Sequence, residues 1–187
     1  KFVDLVEKQP HIRMALGVLI APIFGFTSMA GIDFNKFVAI NGGFHYLSGG
    51  PLRDSDDILI DEYYAREKKT KVGDKLTLLN HQWRVAGIVD EAKLSHLIAS
   101  KTRLQELTGN NGRVSQIVVK LDDPANKQTV IDHLNDLLKG NLRAFSIEEL
   151  ASLYSLNNFP QLKTFINVVI GLSIAIGFLA PVAADRV

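Results

Sequence analysis

The chain has 187 residues, 47% of them apolar and 22% charged, with a net charge of +1. That is ordinary for one globular domain or two small ones and does not indicate disorder. Lys and Arg are scattered among acids, as in Arg66, Lys68, Lys69 and Lys71 followed by Asp74, so no basic stripe favours nucleic acid. Cysteine is absent, which excludes a disulfide framework and thiol catalysis.

In chain order, Phe2, Leu5 and Val6 fall at helical spacing before Pro10 and predict the last turns of a helix. With Lys1 at the start, no initiator Met and no signal-peptide pattern, the chain is expected to begin partway through a longer protein. Ile12 to Phe26 is apolar and partly β-branched, a long strand whose pairing Pro22 limits. Gly31-Ile32-Asp33 leads into a short amphipathic turn around Phe34, Phe37 and Val38, and Gly42-Gly43 and Gly49-Gly50-Pro51 mark loops. Ile58 to Ile60 is expected as a short buried strand and Glu62 to Glu67 as a short helix.

Lys71 to Asp90 carries the clearest local signal. Gly73-Asp74 is a turn, and Leu76 to Leu79 and Trp83 to Val89 are β-rich runs joined at Asn80-His81, which predicts a tight hairpin. Two-residue alternation puts Trp83, Val85, Gly87 and Val89 on one face and Arg84, Ala86 and Ile88 on the other, with Trp83 in the core. Ser100 then caps a helix through Leu107 that stops at Gly109, and Ser115 to Leu121 is a strand. Pro124 opens a helix with Val130, Ile131, Leu134, Leu137 and Leu138 on one face, followed by a strand at Leu142 to Phe145. Ser146 and Glu149 form a capping box for another helix, which Pro160 interrupts.

Phe165 to Ala184 contains no charge, and about twenty apolar residues is the length that crosses a bilayer as a helix. Pro181 shortens the unbroken part, Phe165 to Leu179, to about 22 Å. A buried core helix is the alternative, but only Asn167 and Ser173 offer it a polar face, so the membrane reading is preferred. The fold class expected is α+β: a mixed sheet with packed helices, including a βαβ unit, and a hairpin-rich β lobe between Gly31 and Val89, followed by a membrane-entering helix.

No motif for chemistry is present. G-x-x-x-x-G-K-[ST] is missing, neither glycine pair follows a strand and opens a helix as a dinucleotide site requires, and there is no G-x-S-x-G elbow. His11, His45, His81, His96 and His133 show no metal-ligand spacing, and Asp54, Asp56, Asp57, Asp61 and Glu62 lack calcium-loop register and read as an exposed acidic turn. No catalytic, cofactor-binding or metal residue is therefore assigned, and no cofactor is expected. Phe44, His45, Tyr46 and Leu47 are candidates for a partner surface, with core packing the preferred role for Phe44 and Leu47.

The order Gly31-Ile32-Asp33, Gly49-Gly50-Pro51-Leu52, Asp57-Ile58-Leu59-Ile60-Asp61-Glu62 with Ala65, Lys71-Val72-Gly73-Asp74 and Trp83-Arg84-Val85-Ala86-Gly87-Ile88-Val89 resembles the periplasmic core domain of ABC transporter permeases of the MacB and FtsX type. The strand-helix-strand at Ser115 to Phe145 and the Ser146 to Leu150 helix start resemble that family too. The resemblance implies residues 1–160 as an extracytoplasmic domain and 161–187 as the start of a transmembrane helix, with a small-residue tail that departs from the family. It implies a non-enzymatic role at the plasma membrane, outside the cytoplasm. A separate cytoplasmic ATPase subunit or domain would hydrolyse ATP, and a homodimeric or heterodimeric permease would pass that motion to an extracytoplasmic adaptor or cargo protein. A membrane-anchored, ligand-binding sensor domain is the alternative reading.

Overall fold

The computed structural model describes residues 2–25, 27–90, 92, 94–138 and 142–153. The chain divides into two units, residues 1–126 and 127–187. The apolar segment from Phe165 to Ala184, Pro160 and the expected boundary at residue 160 lie outside the described residues. No described helix is long and apolar enough to cross a membrane.

The first unit holds helix α1 (Phe2–Glu7), strands β1 (Ile12–Phe24) and β2 (Thr27–Ile32), helix α2 (Phe34–Asn41), strands β3 (Tyr46–Gly49) and β4 (Asp57–Asp61) and helix α3 (Glu62–Lys68). Strands β5 (Lys75–Leu78), β6 (His81–Val89) and β7 (Leu97–Ser100), helix α4 (Lys101–Thr108), strand β8 (Gln116–Leu121) and a 3-10 turn at Pro124–Asn126 complete it. All eight strands join one mixed sheet in the order β3-β6-β4-β7-β2-β1-β8, with β5 also paired to β6. The β2–β7 and β4–β6 pairs are parallel and the others antiparallel. The class is thus α+β.

Alternation along the strands builds a core on each face of the sheet. On one face Leu19, Ala21, Met29, Ile58, Ile60, Trp83, Val85, Leu97 and Ala99 pack with Tyr64 and Ala65 of α3 and Leu104 of α4. On the other, Leu16, Val18, Ala30, Ile32, Leu59, Val89 and Ile98 pack with Phe37 of α2. Central strands buried on both faces read as unbroken apolar runs, which is why Ile58-Leu59-Ile60 and Leu97-Ile98-Ala99 show no polar alternation. Each fully buried Leu or Ile here contributes about 1.5–3 kcal/mol over its exposed state.

The helices are short and depend on their caps. The Asp33 carboxylate accepts the Lys36 N–H at 3.1 Å to start α2, which ends at Gly42 with φ 79°. That helix replaces the short turn expected around Phe34. Asp61 starts α3 by accepting the Tyr64 N–H at 2.8 Å. Ser100 does occupy the N-cap position of α4, but its side chain makes no cap hydrogen bond.

The hairpin forms with its turn one residue earlier than expected. Leu78 pairs with His81, so the loop is Leu79-Asn80, and both have positive φ, 57° and 56°. Packing sets this register, because Leu76 opposite Trp83 keeps both side chains on the buried face. The expected alternation along β6 also fails past Ala86. Ile58 pairs with Val85 but Leu59 with Gly87, a bulge that turns Val89 to the face opposite Trp83 and Val85.

The second unit holds α5 (Lys127–Leu138) and α6 (Ile147–Leu153). Pro124 therefore opens a 3-10 turn, not α5 itself. The strand expected at Leu142–Phe145 does not form. Instead the Asn135 side chain of α5 accepts the Ala144 N–H at 2.7 Å and donates to the Ala144 carbonyl at 3.2 Å, meeting the backbone bonds that a strand partner would otherwise supply. Ser146 Oγ accepts the Glu149 N–H at 3.1 Å, the cap expected for α6.

Candidate functional site

Strand β6 is the axis on which the motif-bearing segments converge. One side of it pairs with β4; the other pairs with β5 along its first half and β3 along its second. Gly49 sits at φ 73°, and a Cβ there would lie 2.2 Å from the Ala86 carbonyl oxygen. A Cβ on Gly87 would lie 2.6 Å from the Gly50 oxygen. The two backbones touch only because both positions are glycine. The Gly73 turn docks on the same strand, with Gly73 N–H donating to the Val85 carbonyl at 2.8 Å and Val85 N–H to that of Asp74 at 2.9 Å.

Of the acidic cluster, Asp54 and Glu62 are exposed as expected, whereas Asp56 is half-buried and Asp57 and Asp61 are buried. The Asp57 carboxylate is buried; it accepts from Arg84 Nε at 2.8 Å and Nη2 at 2.9 Å, and from the backbone N–H groups of Arg53 and Asp54 at 2.8 and 3.0 Å. Asp61 is also buried and, besides capping α3, meets His96 Nδ1 at 2.5 Å. Asp56 takes Arg103 Nε at 2.7 Å and lies 2.9 Å from His81 Nε2. Partial desolvation opposes ionisation of Asp56, but the bonds from Arg103 and His81 outweigh it and hold its carboxyl below the usual range. Asp57 and Asp56 thus tie the start of β4 to β6 and α4. Among the described residues no group of His, Asp and Glu could hold a metal ion.

Four histidines each face a carboxylate: His11 with Asp122, His45 with Asp90, His81 with Asp56 and His96 with Asp61. Of the candidate surface residues, Phe44 stacks on Phe37 with ring centroids 4.6 Å apart, whereas Leu47 is 49% exposed on edge strand β3 instead of packed in the core. A cleft of about 400 Å³ runs between Ile32, Asp33, Arg53, Asp54, Ser100 and Lys101. Its charges are mixed, which points to no single ligand class.

The geometry with the clearest mechanical meaning lies where β1 begins and β8 ends. The two strands are antiparallel neighbours with Ile12 opposite Leu121, so the chain enters and leaves the sheet side by side. At that end Glu7 of α1 accepts the Ala15 N–H at 3.0 Å and pairs with Lys36 of α2 at 3.3 Å. The Ala15 hydrogen bond, with Lys36 adding to it against partial desolvation, lowers the Glu7 carboxyl below its usual range. Lys120 of β8 donates to the Ala39 and Ile40 carbonyls at the end of α2. The opposite end of β1, about 40 Å away for 13 residues, carries an exposed Phe24 at the hairpin with β2.

Residues 10–137 match the family of MacB-like periplasmic core domains, more than half of the chain. The chain belongs to the MacB-like periplasmic core domain family. Two solved structures share its fold. One is the extracellular domain of the noncanonic ABC-type transporter YknZ from Gram-positive bacteria, with TM-score 0.56, 15% identity, 72% of this chain covered and 81% of that one. The other is the periplasmic region of MacB from Actinobacillus actinomycetemcomitans, with TM-score 0.53, 17% identity and 72% of each chain covered. No curated protein matches in sequence. Family membership identifies this MacB-like domain as the extracytoplasmic part of an ABC transporter permease, a class of domain that is not itself an enzyme. Gly49, Gly50, Asp57, Gly73, Asp74 and Gly87, all among the residues that carried the resemblance, thus hold β6 in its bracket of β3, β4 and β5.

Proposed function

We propose that this domain transmits motion: helices entering the membrane on either side of it move when a cytoplasmic ATPase partner binds and hydrolyses ATP, and the domain carries that displacement to an adaptor or cargo protein outside the cytoplasm. The observation that carries this reading is the side-by-side arrival of the chain at Ile12 and its departure at Leu121. A displacement of the chain on both sides of the sheet enters at one place. Cores on both faces of one continuous sheet then pass it on, because close-packed interiors deform little.

The test uses the full permease with its ATPase in membranes. The chain has no cysteine, so Asn111→Cys, on an exposed residue, places one spin label in this domain of each of two permease subunits. The distance between the labels is expected to change when ATP is trapped and to return after hydrolysis. An unchanged distance would contradict the proposal.

A further inference from the structure

The same chain geometry poses a mechanical problem. Two antiparallel strands pulled apart from adjacent ends are loaded so that their hydrogen bonds break one at a time from that end, whereas strands pulled from opposite ends share the load across the whole ladder. Beginning at Ile12 and Leu121, β1 and β8 are held in the first, weaker arrangement. Among the described residues edge strand β8 pairs only with β1, and no described strand lies on its other side.

A cluster of contacts sits just outside that first pair. His11 adopts φ 63°, a left-handed conformation that non-glycine residues rarely take, and this turns the chain from Pro10 into β1. In that position the His11 carbonyl accepts the Asp122 N–H at 3.1 Å, adding a backbone bond beyond the end of the strand. The His11 ring reaches the same segment, with Nδ1 3.3 Å from Asp122 Oδ2 and 3.0 Å from Asn126 Nδ2. Asn126 Nδ2 in turn donates to Asp122 Oδ1 at 3.3 Å, and the 3-10 turn at Pro124–Asn126 is what brings it back over the strand end. Asp123 N–H and Ala125 N–H are taken by the Asp122 and Asp123 carboxylates, so the segment after β8 is itself held in shape.

We propose that His11, Asp122 and Asn126 form a clasp that stops β8 from peeling away from β1 when the permease moves, so that both strands are displaced together. This rests on the mechanotransmission reading above. These groups are half-exposed, so on the resting domain their bonds add little to stability. Their effect belongs to the loaded state, since they lie where separation has to start.

The experiment is hydrogen exchange of the β8 amides, Ile117 to Leu121, in the full permease with its ATPase, nucleotide-free and ATP-trapped. It compares wild type with His11→Gly, which keeps the left-handed backbone without strain and removes the ring, and with Asn126→Ala. Asp122→Asn, nearly isosteric, serves as a third variant. The nucleotide-free exchange is expected to match wild type in all three. In the ATP-trapped state it is expected to rise about tenfold or more in the variants, from the Leu121 end first. Variants that match wild type in both states would overturn the clasp, and so would variants that exchange equally fast with and without ATP. If the Asn111 labels move in wild type while the variants show no ATP-dependent exchange, the clasp alone fails. If those labels do not move in wild type, mechanotransmission fails and the clasp with it.

Discussion

Asp57 and Arg84 form a two-pronged ion pair across β4 and β6, in which the carboxylate side chain is 1% exposed and the guanidinium 51%. Such a pair gains little net stability over apolar residues, but removing one partner strands a buried charge. Asp57→Ala removes the carboxylate that organises the Arg53 and Asp54 N–H groups as well as Arg84. It is expected to destabilise the domain by about 3 kcal/mol, the low end for a broken buried pair because Arg84 reaches water. Arg84→Lys keeps the charge but loses the fork and is expected to cost part of that. Urea denaturation of the domain measures both, and equal midpoints for wild type and Asp57→Ala would contradict the assignment.

Trp83 is fully buried in the core shared with α3 and α4 and donates from Nε1 to the Leu78 carbonyl at 3.1 Å. Trp83→Ala is expected to cost about 3–5 kcal/mol, as large aromatic truncations do. As the only tryptophan in the chain it also reports directly, with emission blue-shifted in the folded state and red-shifted on unfolding. An unchanged melting temperature in the variant would show that Trp83 is not a core residue.

Hairpin β5–β6, the long strand β1 and the cap residues Ser100 and Ser146 rest on local signals, and they are found where those signals lie. Strands β2 (Thr27–Ile32), β3 and β7 carry no clear local signal, because segments such as Thr-Ser-Met-Ala-Gly-Ile and Leu-Ile-Ala-Ser are short and hold few β-branched residues. Their pairing partners, as in Met29 opposite Leu97, lie far away in sequence. Asp57 read as exposed for the same reason, since Arg84 is 27 residues away. The reversal of faces in β6 has no local sign; it comes with the bulge at which Ile58 pairs with Val85 but Leu59 with Gly87, residues far apart in sequence. The clasp at His11 was equally invisible, as it joins residues more than 110 apart.

Gly87→Ala tests the close backbone contact between Gly87 and Gly50. The added methyl would meet the Gly50 carbonyl oxygen and Leu59 Cδ2, and neither the strand nor the buried Leu59 can yield freely. The expected cost is about 1–3 kcal/mol, as for overpacked cores, whereas Gly25→Ala at the β1–β2 tip meets no atom and is limited to the strain of its positive φ. Thermal unfolding of the two variants should rank Gly87→Ala well below Gly25→Ala, and the reverse order would contradict the close approach.

The pH dependence follows from carboxylates held in their ionised form. Glu7 and Asp56 both titrate below their usual values in the folded chain. A depressed folded-state pKa gives stability that is present above the unfolded value, about pH 4, and is lost as pH falls through the folded values. The domain is therefore expected to keep its denaturation midpoint from pH 7 to about 5 and to lose stability below about 4. A midpoint that rises on acidification would contradict the Asp56–Arg103 and Glu7–Ala15 assignments.

The proposed function depends on the unit of residues 1–126 moving as one body. Its most direct test is a pair of distances in the ATP-cycling permease. One is internal, between labels at Lys8→Cys and Asn111→Cys on one domain; the other joins the Asn111 labels of two permease subunits. The account predicts a constant internal distance in every nucleotide state while the intersubunit distance shifts with ATP. An internal distance that changes with nucleotide, or an intersubunit distance that stays fixed, would contradict it.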